Sequence, residues 1–490
     1  MMKGHPGAGW MNGNTCSSTR FVCVKDKSGS NPSNRVVPRE CLSSLFVDRG
    51  FFDPIKTVEF YYFMGVMEML AKAPKGTRDI LPDEIHKWYY VEEKFREIAN
   101  RFGYKEIRIP VFEHTELFER GVGDTTDIVQ KEMYTFNDKG GRSITLRPEG
   151  TAGVVRSYIQ NGMSSWAQPV KLFYDITAYR YENVQKGRYR EFHQFGVELF
   201  GAAHPGADVE VISLLHLFFK ELGIKNLALN INSIGCPTCR EKYNQKLKEF
   251  LGTKLDNLCH TCKERYDRNP MRILDCKDDS CKQMVVNAPA LLDHICEDCA
   301  KHFERVKSKL TAMDIPFSID KGIVRGLDYY TRTVFEFVSE NIGSQGTVCG
   351  GGRYDGLIEA CGGTPTPGIG FGLGVERLLL EMDNQKIEIP APKSPDIFIG
   401  FVGEQAEELA ESLTLKLRAA GISCDKDIMA RSVRAQMKYA NKINSRFIII
   451  LGDNEVESGK VELKDMTTGE TKDINIDTIV DRLLKYKIGN

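Results

Sequence analysis

A basic hairpin between two apolar runs contains the residues best suited to chemistry. The first run, Val170–Tyr179, is typical of a β-strand, and Arg180 follows it directly. A short basic turn at 185–188 leads into a second predicted strand at 192–200, one face of which carries Gln194, Gly196 and Glu198. Cations placed in this way can hold a polyanion, such as a phosphate chain, against a sheet. An exposed hairpin with solvated charges is the alternative.

The elements that position this hairpin belong to a long, ordinary globular chain. At 490 residues the chain is too long to form a single hydrophobic core, and about two or three domains are expected. Its 66 basic and 67 acidic residues nearly balance, which neither favours nor excludes a nucleic-acid partner. The most apolar early stretch, 58–70, is interrupted by Glu59 and Glu68, so no membrane span is predicted.

The cysteines have a spacing typical of metal ligands. Eight of the fourteen lie between 236 and 299, and no signal peptide is predicted, which favours reduced thiols. One set of four could close a zinc site locally, and the other could close a second site across the ends of the segment. The first set is Cys259, Cys262, Cys276 and Cys281, and the second is Cys236, Cys239, Cys296 and Cys299. Other partitions remain open, and buried free thiols are the alternative.

Changes in composition divide the chain into four parts. Residues 1–66 are rich in Gly, Ser, Asn and Pro, and we expect a poorly ordered extension. A targeting peptide is the functional alternative, and translated upstream sequence before Met64, Met67 or Met69 is the other. We expect a catalytic domain at 67–225 and 323–390, interrupted by a cysteine-rich insertion at 226–322.

Periodicity predicts the elements of these parts. A helix at 83–102 should bury one face, which contains Ile85, Trp88, Tyr89, Phe95, Ile98 and Ala99. A strand at 104–112 contains Pro110, which belongs at an edge or a bulge because proline cannot donate to a ladder. After a proline-rich linker, strands alternate with helices over 396–490, which predicts a separate α/β domain with a mainly parallel sheet.

The hairpin resembles motif 2 of the class II aminoacyl-tRNA synthetases, in the form found in the histidyl-tRNA synthetase family. Three more segments match that family in the same order, at 145–152, 324–336 and 368–377. The segment from Arg325 to Glu336 is the most specific of them. The resemblance extends from about residue 75 to the C-terminus, and its helix–strand–Pro pattern near 104–112 is similar to motif 1, which builds a homodimer interface in this class.

The resemblance implies an α+β fold, in which an antiparallel sheet with flanking helices carries the Cys-rich insertion and a C-terminal α/β anticodon-binding domain. It implies a cytoplasmic homodimer that activates histidine with ATP and Mg²⁺ and transfers it to tRNA(His). Negative charge gathers around phosphorus in the transition state, so cations and positioned metal ions should dominate catalysis. Arg180 and Arg325 are the implied catalytic residues at the α-phosphate, Arg188 and Arg377 bind ATP, and glycines 370, 372 and 374 let the nucleotide lie flat.

The implied histidine-binding residues must read an ammonium group and two ring nitrogens. They are Glu149, Gly150, Thr151, Gln194, Glu198, Tyr329 and Tyr330. The alternative for Glu149 is a carboxylate that complements a helix N-terminus. For the tyrosines it is packing on a strand, where adjacent side chains face opposite ways, so one of the two should pack.

Two basic surfaces are implied for tRNA. The motif 2 loop would contact the acceptor end, and a predicted helix at 431–444 would follow the anticodon stem. The residues are Gln185, Lys186 and Arg188 in the loop, and Arg431, Arg434 and Lys438 on the helix, where Lys442 extends the same stripe. A solvated helix face is the alternative interpretation.

Two rival functions remain open. The regulatory subunit of a histidine-pathway phosphoribosyltransferase shares the catalytic fold, but such paralogues typically lack the anticodon domain and lose motif residues. This chain keeps residues 396–490 and every arginine named above. The second rival is a zinc-dependent nucleic-acid-binding module with a vestigial synthetase-like part. Pyrophosphate exchange with free histidine separates all three.

Overall fold

The structure is a computed structural model that describes residues 72–488 except 124–125, 277, 324 and 342–345. It also describes the backbone of β1 (Phe21–Cys23) and β2 (Val36–Pro38), which pair in antiparallel fashion. The remainder of the predicted extension at 1–66 lies outside the described residues. Among the helices that are described, none is long and apolar enough to cross a membrane.

Two sheets form the central part of the chain. Their strands are β3 (Lys105–Glu106), β4 (Phe112–His114), β5 (Thr135–Asn137), β6 (Ser143–Leu146), β7 (Val170–Tyr179), β8 (Glu191–Phe200), β9 (Leu227–Ser233), β10 (Ser318–Ile319), β11 (Thr331–Ser339), β12 (Thr347–Arg353) and β13 (Gly368–Gly374). The large sheet has the order β10-β9-β11-β12-β13-β8-β7-β3, and the small one has the order β4-β6-β5. Only the outermost pairings of the large sheet, β10 with β9 and β3 with β7, are parallel.

Helices cover this sheet and build its core. They are α1 (Ile85–Arg101), α2 (Thr115–Val122), α3 (Thr151–Gln160), α4 (Pro205–Glu221), α5 (Pro237–Gly252), α6 (His260–Arg268), α7 (Asp279–Val285), α8 (Glu297–Ala312), α9 (Leu357–Ala360) and α10 (Val375–Asn384). Phe95 of α1 stacks on Phe195 of β8 with ring centroids 4.5 Å apart, and Phe218 of α4 meets Phe95 edge-on. The α+β architecture predicted from the resemblance is therefore correct.

Two local predictions in this region need correction. Tyr89, placed on the buried face of the first helix, is 56% exposed, and Val91 is buried in its stead. The predicted strand at 104–112 is divided between β3 and β4 in different sheets. The reason is Arg147, whose guanidinium donates to the carbonyls of Ile109 at 2.7 Å and Pro110 at 3.1 Å and so occupies acceptors that a ladder would need.

In the structure, only part of the predicted insertion at 226–322 lies outside the large sheet. Its ends contribute β9 and β10 to the large sheet, and α8 packs on α4 with Phe303 in the same core. Leu229 and Ile231 alternate into that core, which is the reason that β9 belongs to the sheet. The part outside the sheet, 234–296, contains α5, α6 and α7 and all but one of the eight clustered cysteines.

The C-terminal region has its own five-stranded sheet. Its elements are β14 (Ile397–Phe401), α11 (Glu404–Ala419), β15 (Cys424–Lys426), α12 (Val433–Lys442), β16 (Phe447–Leu451), α13 (Asp453–Ser458), β17 (Lys460–Asp465), β18 (Thr471–Asn475) and α14 (Ile479–Ile488). β15, β14 and β16 are parallel, but β17 and β18 add an antiparallel hairpin. The sheet is therefore mixed rather than mainly parallel. Gly469, with φ of 77°, lies in the turn of that hairpin.

Candidate active site

A cavity of about 350 Å³ lies where the loops before β11 and α3 meet β8, β12 and β13. Besides Gly372 and Gly374, nine residues predicted from sequence line it, although they come from distant parts of the chain. They are Glu149, Thr151, Arg180, Arg188, Gln194, Arg325, Tyr329, Tyr330 and Arg377. Strand pairing explains the convergence, because β13, β8 and β7 are neighbours and Gly374 lies opposite Gln194.

Glycines on β12 and β13 leave room for the side chains of the site. A Cβ atom at Gly350 would overlap the guanidinium of Arg325, and one at Gly370 would overlap the carboxylate of Glu198. The expectation that Gly370 lets a nucleotide lie flat is therefore wrong, because a protein side chain occupies that space. Gly374 has open space above it and lines the cavity.

Arg325 faces the cavity from a strained loop position. Its φ is 60°, and its side chain is 16% exposed and forms a close ion pair with Glu336. Burial alone would lower the pKa of Arg325, but the carboxylate of Glu336 raises it above the usual value. Arg272 donates to the backbone carbonyl of Arg325 at 2.9 Å. These contacts exclude the alternative of a free surface arginine.

Three further arginines are fixed around the same cavity. Glu182 forms a close ion pair with Arg188 and lies 3.7 Å from Nη1 of Arg180, whose Nε donates to the carbonyl of Pro148 at 2.8 Å. Arg377 donates to the carbonyl of Thr347 at 2.7 Å. Burial lowers the pKa of Arg180, because the groups around the guanidinium stabilise its charge less than water would. The arginines are thus held in place before any ligand arrives.

Glu198 lies beneath the cavity and does not line it. The residue is fully buried, its Oε1 accepts from the hydroxyl of Tyr174 at 3.2 Å, and its Oε2 accepts a short hydrogen bond from Tyr354. Burial raises the pKa of Glu198 to about 8, and the tyrosine bonds oppose the rise. Burial therefore shifts Glu198 towards its protonated form.

Glu149 both caps a helix and lines the cavity. Its two oxygens accept from the N–H groups of Thr151 at 2.7 Å and Ala152 at 2.8 Å, at the start of α3. Burial raises the pKa of Glu149, and these bonds oppose the rise. The amide oxygen of Gln194 accepts from the N–H of Gly150 at 3.1 Å, which fixes Gln194 beside the carboxylate. Glu149 can therefore complement the helix N-terminus and still face a ligand in the cavity.

Tyr329 and Tyr330 both line the cavity, although packing was expected for one of them. They precede β11, which begins at Thr331, and strand alternation does not apply to them. Their ring centroids are 4.6 Å apart, with an angle of 50° between the ring planes. Tyr330 also belongs to the apolar core and is 5% exposed.

Two family models match almost the whole described part of the chain. One, described as histidyl-tRNA synthetase, covers residues 76–378, and one described as an anticodon binding domain covers 396–486. The chain belongs to the histidyl-tRNA synthetase family. The resemblance found in the sequence motifs is thereby confirmed.

Individual relatives agree with this assignment to the histidyl-tRNA synthetases. The histidine–tRNA ligase of Acetivibrio thermocellus is 65% identical over 415 residues, which are 85% of this chain and 100% of that protein. The enzyme of Caldanaerobacter subterraneus is 57% identical over 84% of this chain and 99% of its own length. The crystal structure of apo Staphylococcus aureus histidyl-tRNA synthetase is 41% identical with a TM-score of 0.73, and covers 84% of this chain and 99% of that one.

A solved structure described as an ATP phosphoribosyltransferase regulatory subunit/histidyl-tRNA synthetase, from Bacillus halodurans, is also similar in fold. It has a TM-score of 0.55 and 23% identity, and covers 78% of this chain and 98% of its own. Fold alone therefore does not distinguish a synthetase from that paralogue, and the distinction depends on residues of the site.

Several residues of this synthetase-family site were not predicted from sequence. They are Glu182 and Glu336, which pair with arginines, Tyr174 and Tyr354, which bond Glu198, and Arg272, which supports Arg325. One signal was available for Tyr174. It lies directly across from Gly196 on the paired strand, where a missing side chain leaves room for an aromatic ring.

The residues predicted to contact tRNA lie on two surfaces. In the motif 2 loop the N–H of Gln185 donates to Arg188 and the N–H of Arg188 donates back, at 3.1 and 2.9 Å. Lys186 is exposed at the tip, whereas the side chain of Arg188 turns into the cavity. This inward orientation suits Arg188 to ATP better than to tRNA.

The predicted basic stripe at 431–444 also needs correction. The helix α12 begins at Val433, so Arg431 precedes it, pairs with Asp427 at 2.9 Å and lies 4.2 Å from the Tyr439 ring centroid. That pair satisfies the Arg431 charge within the protein. Arg434 and Lys438 are exposed on α12, and Met437 and Ala440 pack on the opposite side, as expected from the period of the helix.

The structure gathers the eight clustered cysteines into two groups. In each group the four sulfur atoms lie within 4.8 Å of one another. The groups have the same members as the two sets chosen from spacing, namely Cys236, Cys239, Cys296 and Cys299 in one and Cys259, Cys262, Cys276 and Cys281 in the other. Either group could hold a metal ion.

Proposed function

We propose that this protein is a histidine–tRNA ligase, which activates histidine with ATP to histidyl-adenylate and transfers histidine to the 3′ end of tRNA(His). One observation carries the proposal, namely that Arg180, Arg325 and Arg377 converge on the same cavity as Glu149. Such a cavity can bind a triphosphate at one end and an ammonium group at the other. The high identity to proteins named histidine–tRNA ligase supports it.

The arginines would act on charge that develops during the first step. The histidine carboxylate attacks the α-phosphorus of ATP, and pyrophosphate leaves with the bonding electron pair. Arg180 and Arg325 would stabilise the negative charge on the α-phosphoryl oxygens, while Arg188 and Arg377 would hold the rest of the nucleotide. Because their partners already fix these guanidinium groups, little reorganisation is required when ATP binds.

Magnesium would accompany ATP, since Mg²⁺ is held by phosphate oxygens together with one or two carboxylates. The donors in the cavity fit this requirement, because Glu182, Glu336 and Glu376 all line it. The ion would supply charge neutralisation to the phosphates. Glu336 would first have to share its carboxylate, which Arg325 and the hydroxyl of Thr347 occupy.

Histidine would be selected by buried polar groups. Glu149, Gly150 and Thr151 would receive the ammonium group, while Gln194, Tyr329 and Tyr330 would face the side chain. Glu198 lies beneath these groups, and it would accept from one ring N–H where the imidazole reaches past them, in competition with its two tyrosine hydroxyls. An analogue without that N–H would lose this hydrogen bond while Glu198 keeps its tyrosine partners, which costs about 0.5–1.5 kcal/mol.

Transfer requires tRNA(His) to reach the same cavity. Gln185 and Lys186 would contact the acceptor end, and Arg434 and Lys438, with a smaller contribution from the paired Arg431, would contact the anticodon stem. We also propose a catalytic domain at 67–225 with 323–390, to which β9, β10 and α8 are added, and an anticodon-binding domain at 396–490. A homodimer and a cytoplasmic site of action complete the proposal. Free cysteines throughout the described region support a reducing compartment.

Pyrophosphate exchange tests the proposal directly. The purified protein should exchange labelled pyrophosphate into ATP only when free histidine is present, and should then charge tRNA(His). No exchange with histidine, together with activation of a phosphoribosyltransferase partner, would favour the regulatory paralogue. Nucleic-acid binding without exchange would favour the zinc-dependent module.

A further inference from the structure

The two cysteine groups have the dimensions of tetrahedral metal sites. Sulfur–sulfur distances are 3.5 Å for Cys236 with Cys239 and 3.9 Å for Cys259 with Cys276. Four sulfurs at 2.3 Å from a zinc ion stand about 3.8 Å apart. A disulfide would require a sulfur–sulfur distance of about 2 Å. We propose that this protein holds two structural zinc ions, one in each cysteine group.

Helix starts place the thiols correctly for this purpose. In each Cys-x-x-Cys pair the first cysteine is the N-cap residue and the second is the third residue of the helix, which puts both at its amino end. The pairs are Cys236 and Cys239 on α5, Cys259 and Cys262 on α6, and Cys296 and Cys299 on α8. The positive end of a helix dipole stabilises the thiolates that zinc requires.

Backbone donors complete the surroundings of the sulfurs. The N–H of Cys296 donates to Sγ of Cys239 at 3.0 Å, and the N–H of Cys259 donates to Sγ of Cys281 at 3.2 Å. Such donors orient the ligands of a metal and disperse their negative charge. Each group has four thiol ligands, so neither site keeps a coordination position open for water, and both are structural rather than catalytic.

The first group closes the helical segment at its base. Cys236 follows β9, and Cys296 precedes α8, so a metal there joins the two points at which the segment leaves and re-enters the fold. The segment has buried apolar residues of its own, among them Tyr243, Leu247 and Leu251, and a metal would add a cross-link to this packing.

The second group holds the segment that supports the Arg325 loop. Between its ligands, Arg265 donates to both carboxylate oxygens of Asp127 at 2.9 Å, and Arg272 donates to the carbonyl of Arg325 at 2.9 Å. Asn269 donates to Asp328 at 3.0 Å. Zinc in this group therefore positions the loop that carries Arg325, a consequence for catalysis that depends on the proposed function, whereas the metal sites themselves do not.

Elemental analysis of the full-length protein, purified without chelators, tests the metal sites. Two zinc ions per chain are expected, and Cys276→Ser or Cys296→Ser should each retain one. Cys276 is partly exposed and Cys296 is exposed, whereas four other cysteines of the two groups are buried, so replacing these two disturbs little packing. Cys361→Ser, outside both groups, should retain two. Less than about a tenth of an equivalent, with all eight thiols reactive in the folded protein, would overturn the proposal, as would iron in place of zinc.

Hydrogen exchange of the backbone amides at 325–330 tests the support of the loop without ATP or histidine. Cys276→Ser should increase their exchange at least tenfold relative to Cys361→Ser. If Cys276→Ser lost one zinc ion but the amides at 325–330 exchanged at an unchanged rate, the metal would have no role in supporting the loop. Because neither measurement uses the reaction, a failure here is distinguishable from failure of the proposed ligase activity.

Discussion

Replacing Arg325 with alanine should slow adenylate formation far more than it weakens histidine binding. The change removes a guanidinium from the cavity and leaves Glu336 with a hydrogen bond from Thr347 at 3.0 Å. Since the Glu336 side chain retains 21% exposure, water can solvate the freed carboxylate, and the fold should persist. The main loss is therefore a positive charge at the reacting phosphorus.

The size of this effect follows from the geometry of a direct contact. A guanidinium about 4 Å from a phosphoryl oxygen contributes about 4 kcal/mol at an effective dielectric constant of about 20. Each 1.36 kcal/mol is a factor of about ten, which sets an upper limit near 10³ on the loss of kcat. Because Glu336 competes for the guanidinium, we expect a reduction of about 10² to 10³.

Pyrophosphate exchange at saturating ATP measures this effect. The histidine KM should stay within about threefold of the unmodified protein, because the lost contact is made in the transition state. Arg325→Lys, which keeps the charge but loses the planar fork, should be intermediate. Arg332→Ala is the matched control, since Arg332 also has positive φ, at 52°, but does not line the cavity.

An exchange rate for Arg325→Ala within tenfold of normal would refute the assignment. A loss confined to the histidine KM would also refute it, because Arg325 would then act on the amino acid.

Glu198→Ala or Tyr330→Phe should raise the histidine KM strongly and the ATP KM little; the reverse pattern would place these residues on the nucleotide side. Because burial raises the pKa of Glu198 from 4.5 to about 8, its contribution to stability is complete below pH 4.5 and is lost as the pH rises through 8. The unfolding temperature measured between pH 5.5 and 8.5 should show this decline, and Glu198→Gln should make it less steep. If the unfolding temperatures of both proteins fell equally with pH, the raised pKa of Glu198 would be contradicted. Replacing Arg434 and Lys438 with alanine should raise the tRNA KM and reduce its salt dependence by roughly one slope unit per residue, without changing exchange. Lys416 is an exposed residue of α11. If Lys416→Ala changed the tRNA KM equally, Arg434 and Lys438 would belong to an ordinary solvated helix face. A chain that starts at Met67 should keep full aminoacylation, because the described residues that line the cavity begin at Ile128; loss of charging or of dimer would assign a role to the extension.

Local sequence patterns were sufficient for much of the architecture. The helical period located α1 and α12 to within about two residues, and apolar runs located β14, β15 and β16 but not β17 and β18. Only the structure decided which cysteine pairs share a group, because Cys239 and Cys299 are 60 positions apart, but the pairs themselves were visible from their spacing. These features depend on neighbours a few residues apart, which the sequence displays directly.

The motifs determined which residues would line the cavity, but only the tertiary structure decided their partners. Tyr354 bonds Glu198 across 156 positions, and Arg272 reaches the Arg325 carbonyl across 53. The same holds for β9, whose apolar alternation fits either an inserted unit or the large sheet until its pairing with β11 is known. Periodicity reports which side of an element is buried, but strand order and side-chain pairing depend on contacts between distant segments, which no local pattern specifies.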